Sequence, residues 1–202
     1  MSRLRCLGFC ACLALSLTAM ACGSSNSGSS AGWDAARIGN TATAWWINAH
    51  KGAYYFSFQI EPSYQDDTAG KAQAISFAQQ VVAKVGSNTA APATLVPALS
   101  ELPGWVLDPG ESKTVGGVAT ATDFAGATAL IDGAADPFFD STKSYHATAL
   151  AWERWAKDPY TMDLKVWQMA SAADATTIYT DLLSNSLYAN VTWTTCTATA
   201  CP

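Results

Sequence analysis

Thr43-Ala44-Trp45-Trp46-Ile47-Asn48-Ala49, then His50-Lys51-Gly52, then Ala53-Tyr54-Tyr55-Phe56-Ser57-Phe58-Gln59-Ile60 is the stretch that decides the fold. Two strand-like runs flank a glycine-bearing turn, and in the second run Tyr54, Phe56, Phe58 and Ile60 alternate with Tyr55, Ser57 and Gln59. Successive side chains of a strand point to opposite faces, so the alternation predicts a β-hairpin with one buried face.

Working outward, a polar connection over residues 61–70 leads into residues 71–85. There Ile75, Ala78, Val81, Val82 and Val85 recur at helical spacing, with Gly86 as a left-handed stop. Pro92, Pro97 and Pro103 leave room only for a short helical piece at 95–99, before a loop over 107–117 rich in turn formers. A helix is predicted over 124–135, with Thr122 or Asp123 as its cap and Pro137 as its end; Gly133 and Ala134 imply close packing against a neighbour.

Residues 145–156 and 160–169 read as a second hairpin around Lys157-Asp158-Pro159. Met162, Leu164, Val166 and Gln168 lie on one side and Thr161, Asp163, Lys165 and Trp167 on the other, so the inward side stays open. Ser171 and Asp174 form a capping-box pattern that opens a helix to residue 183. Hairpin followed by helix is thus written twice. The expectation is an α+β domain over residues 33–202, an antiparallel sheet of four or five strands packed by helices on one face, with a last strand at 187–194.

The N-terminus carries an address. Arg3 and Arg5 precede an apolar stretch over 7–17 that is too short to cross a bilayer, and Ala19-Met20-Ala21 is a small-residue cleavage signal ahead of Cys22. Residues 1–21 read as an export signal. Cys22, followed by Gly23-Ser24-Ser25-Asn26-Ser27-Gly28-Ser29-Ser30, resembles the lipobox and tether of a bacterial lipoprotein, with residues 22–32 as lipidated cysteine and flexible linker. Ala19 stands where such signals more often carry leucine, and Ala-x-Ala also suits ordinary secretory cleavage. Cysteine number separates the two. Cys6, Cys10 and Cys12 leave with the signal, so lipidating Cys22 leaves Cys196 and Cys201 as an even pair, expected as a disulfide in an oxidising compartment. Gly23 after the cysteine, by analogy with enterobacterial sorting, favours the outer membrane.

Cleavage removes Arg3 and Arg5 from 11 basic residues, leaving 9 against 16 acidic ones, a net charge of −7. The remaining Lys and Arg are scattered singly, which argues against nucleic acid as a partner. Low charge content and 8 tryptophans indicate a folded, aromatic-rich body.

Chemical signatures are sparse. His50 and His146 have no second ligand at metal spacing, and the commonest hydrolase, nucleotide-loop and Cys-x-x-Cys patterns are missing, so no metal, cofactor or catalytic residue is assigned. Asp132, Asp136 and Asp140 would share a face of an unbroken helix, but Pro137 breaks it. Glu153 and Asp163 could meet across the second hairpin as the facing carboxylates that glycoside hydrolysis needs, although Arg154 and Lys165 favour ordinary cross-strand charge pairs. Trp45, Trp46, Tyr54, Tyr55, Trp152, Trp155 and Trp167 concentrate on the predicted strands, and adjacent ones must face opposite ways. Unless a second layer covers it, the outer set makes an aromatic stripe for a glycan, lipid or protein ligand.

Leu102-Pro103-Gly104-Trp105, Ala129-Leu130-Ile131-Asp132-Gly133-Ala134-Ala135 and Val166-Trp167-Gln168-Met169 are similar to the Leu-Pro, Gly-Trp, Ile-Asn-Gly-Gly-Ala and Val-Tyr-Asp-Met run of a family of uncharacterised exported bacterial domains. The resemblance covers about half of the chain well. Residues 41–102 resemble that family's second half, so the halves stand in reversed order, and Asn-Gly-Gly has become Asp132-Gly133-Ala134. The resemblance implies a fold and carries no activity or site residue.

The sequence therefore points to an envelope-tethered lipoprotein acting as a non-catalytic binding or assembly component. An envelope enzyme with an acidic or aromatic pocket and a purely structural envelope protein are the alternatives. Metabolic labelling with a palmitate analogue should mark the wild-type chain and not Cys22→Ala, with the variant moving out of the membrane fraction; equal labelling of both would end the lipoprotein reading.

Overall fold

A computed structural model of the chain describes residues 32–62, 67–86, 89–108, 118–131, 138, 145–184 and 188–196. The quoted stretch forms the hairpin of β2 (Trp45–Lys51) and β3 (Tyr54–Glu61), in register from Trp45 opposite Ile60 to Lys51 opposite Tyr54. Gly52 takes φ +54° in the two-residue turn, a conformation that glycine adopts without steric cost, and its N–H donates to the Asp34 carboxylate at 2.7 Å. The second hairpin is β6 (Ala147–Lys157) and β7 (Tyr160–Met169), closed by a turn at Asp158-Pro159.

The two hairpins join through β3 and β7, paired antiparallel from Tyr54 opposite Gln168 to Glu61 opposite Thr161. β1 (Ala35–Asn40) extends the sheet beyond β2, and β8 (Thr192–Thr195) lies beyond β1. On the far side, the short strands β4 (Val106–Leu107) and β5 (Ala119–Ala121) both pair with β6. The order is β4-β6-β7-β3-β2-β1-β8, with β5 also on β6, and every pairing is antiparallel.

This is an α+β architecture, but the expected four or five strands become eight among the described residues. β1 escapes sequence reading because Ala-Ala-Arg-Ile-Gly-Asn has neither aromatic alternation nor β-branched density. β4 and β5 have only two or three residues each and exist because β6 offers its free edge.

Helices do not lie on one face; they cover both. α1 (Thr68–Lys84) turns Phe77, Ala78 and Val81 onto Trp33, Ile47, Phe56, Phe58, Trp155 and Leu164. α2 (Phe124–Ile131) and α3 (Ala172–Asp181) cover the other side, where Ala127, Ala175 and Ile178 pack with Tyr55, Leu150, Trp167, Phe138 and Tyr188. The mixed pattern of β7 now has its reason: Met162, Leu164 and Val166 meet the α1 layer while Trp167 and Met169 meet the α3 layer. Strands in the middle of a three-layer stack are buried on both sides and need no polar face.

The anticipated caps at Asp123 and Ser171 form, whereas α1 starts at Thr68, inside the stretch read as a polar connection, with a cap at Asp67 that was not anticipated. Asp67 caps α1 by accepting from Gly70 N–H at 2.9 Å, Asp123 accepts from Gly126 N–H at 2.7 Å ahead of α2, and Ser171 accepts from Asp174 N–H at 3.1 Å in the anticipated box. Two details differ. Gly86 does not adopt the left-handed conformation, because Val85 N–H already closes the helix end onto the Val82 carbonyl. The single helical piece at 95–99 is replaced by two 3-10 turns, Pro92–Thr94 and Leu99–Glu101. The last strand is shorter than 187–194, and residues 132–137 of the second predicted helix lie outside the described residues.

Glycine at position 39 is required for close approach. A Cβ there would lie 2.5 Å from the Val191 side chain and 2.9 Å from the Thr192 carbonyl, so only glycine lets β8 settle on β1.

Phe56 sits at the centre of the α1 layer, fully buried, with the Trp33 ring edge-on at 4.8 Å and Phe58 stacked at 6.2 Å. Phe56→Ala should destabilise the chain by about 3–5 kcal/mol, as large-to-small changes of buried aromatics do; chemical denaturation checks it, and a loss under about 1 kcal/mol would contradict this account of the core.

Candidate functional site

The predicted aromatic stripe is not a surface. Tyr54, Tyr55, Trp152, Trp155 and Trp167 are buried, and Trp45 and Trp46 are half-buried. Tyr54 donates its hydroxyl to the Ala90 carbonyl at 2.6 Å, Trp167 stacks on Phe138 at 3.7 Å between centroids, and Trp46 meets Tyr188 edge-on at 5.3 Å. Tyr54, Trp155 and Trp45 pack in the α1 layer, and the second helical layer covers Tyr55, Trp167 and Trp46, on the side a single layer would have left open.

One of these residues does line a hollow. Trp155 and Glu153, adjacent same-face positions of β6, form its floor; Val96, Ala98 and Leu99 of the segment carrying the 3-10 turns form one wall, and Leu107 and Val118 another. Its volume is about 370 Å³. Apart from Glu153 the lining side chains are apolar, the composition of a small-molecule site: an apolar enclosure with few polar groups. Glu153 is 3% exposed, and its Oε1 accepts from the Arg154 N–H at 3.0 Å.

Strand parity undoes the expected carboxylate pair. Glu153 lies opposite Leu164 and Arg154 opposite Asp163, so Glu153 faces the α1 layer and Asp163 the α3 layer. With the sheet between them, the two cannot flank one glycosidic bond. Asp163 instead accepts from Trp152 Nε1 and from Lys165 Nζ, each at 2.5 Å, and Arg154 pairs with Asp108 at 3.0 Å.

The histidines are far from the hollow. His146 is exposed and bonds Asp174 at 2.8 Å; this bond, with that from Ser171, holds the Asp174 carboxyl below its ordinary value. His50 faces α3, with its ring 5.1 Å from that of Tyr179. Among the described residues no group of three His, Cys, Asp or Glu is placed to hold a metal ion.

The α3 face holds a second polar arrangement. Arg37 of β1 and Asn48 of β2 lie directly opposite each other, and Ser57 of β3 lies opposite Asn48, so the three form one cross-strand row. Arg37 is 2% exposed and Asn48 fully buried; the Tyr188 hydroxyl faces Asn48, Ser57 and the Tyr55 hydroxyl, and the Tyr179 hydroxyl faces Arg37, though the guanidinium completes no close hydrogen bond among the described residues. The guanidinium carbon lies 4.2 Å over the Tyr179 ring and 5.0 Å from the Trp193 ring.

Desolvation lowers the Arg37 pKa, while the nearby phenols of Tyr55, Tyr179 and Tyr188 oppose the shift; the Tyr179 hydroxyl favours the charge without completing a bond. Burial also pushes Tyr55 well above its ordinary range. Leaving an ion unpaired in such a place costs on the order of several kcal/mol. Sequence reading overlooked Arg37 and Asn48, but a signal existed. Each polar residue stands between apolar neighbours, Ala36 and Ile38 or Ile47 and Ala49, which a strand buried on both sides produces.

Cys196 is buried beyond β8, with its N–H on the Ala36 carbonyl at 2.9 Å. Cys22, Cys201, Asp132, Asp136 and Asp140 lie outside the described residues. Leu102-Pro103-Gly104-Trp105 forms a turn with Gly104 at φ +82°, and its Leu102, Pro103 and Trp105 line a smaller pocket of about 120 Å³ with Phe77 and Lys157.

The chain matches no protein-family model, no curated protein and no solved structure.

His50 gives a pH prediction. Desolvation lowers its pKa from 6.5, against the opposing pull of Asp34. The unfolded chain therefore binds its proton first as pH falls through 6.5, and the native state loses stability below that value until the folded ring also titrates. Denaturation of the full-length chain in mild detergent at pH 7.5 and 5.5 should show a smaller loss for His50→Phe than for wild type. Equal losses would show that the ring titrates alike in both states.

Proposed function

We propose that the chain is an envelope-tethered bacterial lipoprotein, anchored through Cys22 with the outer membrane favoured, that works as a non-catalytic binding component. The observation that carries this reading is the hollow over β6. It has the lower end of ligand-site size, apolar walls, an aromatic floor and one buried carboxylate. Such a lining suits a small, largely apolar molecule bearing an ammonium or another hydrogen-bond donor, which the carboxylate would orient. The separation of Glu153 and Asp163 onto opposite faces weighs against the hydrolase alternative.

Two further proposals accompany it. The first is a Cys196–Cys201 disulfide; its support is the even pair left after lipidation and the packing of Cys196 into the α1 layer. The second is membership, with halves reversed, in the family of exported domains described above. Support for it is limited to the quoted motifs, of which Val166-Trp167-Gln168-Met169 occupies the central strand β7.

Hexylamine and hexanol separate the two parts of the site. Hexylamine should raise the thermal midpoint of the full-length chain in mild detergent more than hexanol does. Glu153→Gln should weaken hexylamine by about tenfold, or ~1.4 kcal/mol, while leaving hexanol unchanged. Ala98→Trp, placed at the exposed rim, should block both. A hexylamine effect indifferent to both substitutions, or no effect of either compound on wild type, would remove the hollow as the binding site.

A further inference from the structure

We propose that the pocket between α1 and the turn at residues 102–105 is a second binding site, and that it takes the acetamido group of a neutral N-acetylated amino sugar. Its volume is about 120 Å³, and it shares no lining residue with the hollow over Glu153. Phe77 lines this pocket and Trp155 the hollow, and the two rings meet at 5.2 Å between centroids. Phe77, Leu102, Pro103, Trp105 and Met162 give the pocket apolar walls. Gln73, Ser76, Gln80 and Lys157 give it polar groups, with no carboxylate among them.

Helical spacing and a turn bring these groups together. Gln73, Phe77 and Gln80 fall on one face of α1, so both amides stand beside the same ring. Lys157, the last residue of β6, lays its stem over Gly104, where an added Cβ would come within 3.4 Å of the Lys157 Cε and where φ is +82°. The ammonium ends 5.9 Å from the centre of the Trp105 ring. Gln73, Gln80 and Lys157 are half-buried and Ser76 is exposed, and among the described residues their side chains make neither a hydrogen bond nor an ion pair. Room and bonding capacity therefore coincide here.

Size and bonding inventory select the group. A water in the liquid takes about 30 Å³, so the pocket has space for roughly four waters, or for a methyl, a carbonyl and an amide nitrogen, and not for a whole sugar ring. Each glutamine offers a carbonyl oxygen and an NH2, whereas Lys157 offers donors alone. A secondary amide uses both kinds: its N–H donates to a glutamine oxygen, its C=O accepts from the ammonium or a glutamine NH2, and its methyl meets the apolar wall. Trp105 is 7% exposed and already carries Lys157, so it presents no open face on which a ring could stack. The sugar ring then stays at the mouth, where the exposed Ser76 and the half-buried glutamines suit hydroxyls better than the aliphatic stem of an acetylated lysine. A carboxylate of the same shape brings no N–H, and pairing with a half-exposed lysine is worth little. With 16 acidic against 11 basic residues, the chain also gains no long-range attraction for an anion.

The test uses the full-length chain in mild detergent with N-acetylglucosamine, glucose, sodium acetate and Nε-acetyl-lysine. In the wild type, the assigned side-chain amide resonances of Gln73 and Gln80 should move saturably with N-acetylglucosamine. They should stay in place with glucose, which has the ring without the acetamido group, and with acetate, which has the shape without the N–H. Magnetisation transferred from the protein to N-acetylglucosamine should be strongest at the acetyl methyl. Ser76→Trp, at the exposed rim, should abolish the shifts, and Lys157→Met, which keeps most of the stem, should weaken binding by about tenfold.

Binding of N-acetylglucosamine should survive Ala98→Trp, and the hexylamine effect should survive Ser76→Trp, so the two pockets fail independently. Unmoved glutamine resonances in the wild type, glucose or acetate matching N-acetylglucosamine, or undiminished binding by Ser76→Trp would each overturn the assignment. Nε-acetyl-lysine binding as tightly as the sugar would overturn it as well, by making the ligand an acetylated peptide.

Discussion

The antiparallel pairing of β3 with β7 is the constraint on which the rest of the structure depends. It sets two aromatic-rich strands side by side at the middle of the sheet, Tyr54 to Glu61 against Gln168 to Thr161. Each strand carries large apolar side chains on both faces: Phe56 and Leu164 on one, Tyr55 and Trp167 on the other. A sheet with such a centre cannot leave either side in water, because each fully buried aromatic or aliphatic side chain is worth about 1.5–3 kcal/mol. The chain answers with α1 on one face and with α2 and α3 on the other.

Three layers then decide what the polar residues become. Several polar residues on the strands, Arg37, Asn48, Ser57, Glu153 and Asp163 among them, are buried whichever way they point and need partners. Asp163 finds Lys165 and the Trp152 indole, and Arg154 finds Asp108 at the sheet margin. Glu153 is directed into the hollow beneath residues 93–99, and Arg37 and Asn48 are directed under α3. The first placement gives an apolar hollow with one buried acid, and the second a cation held between aromatic rings.

Hairpins, caps and helices were legible from residues 43–60, 145–169, Asp123 and Ser171, since alternation and capping are settled by neighbours within a few positions. The strand positions of Trp45, Trp46 and Trp155 were legible for the same reason, whereas their burial was not. Alternation says only that Trp45 and Trp46 face opposite ways. Whether the second direction meets water depends on where α3 goes after β7, and no local pattern encodes that. The same limit applies to Glu153 and Asp163: their nearness in sequence across a hairpin suggested a pair, and a register that sets Glu153 opposite Leu164 placed them back to back.

By itself the sequence determined the local grammar of two hairpins each followed by a helix, with their caps. These depend on contiguous residues and on the period of the backbone. Only the tertiary structure decided the number of strands, the layer on each face and the identity of the buried charges. β1, β4 and β5 form because a neighbouring edge accepts their hydrogen bonds, and Arg37 is buried because α3 and β8 close over it. Long-range pairing creates those environments, so residues with little local signal acquire their roles from what is packed against them.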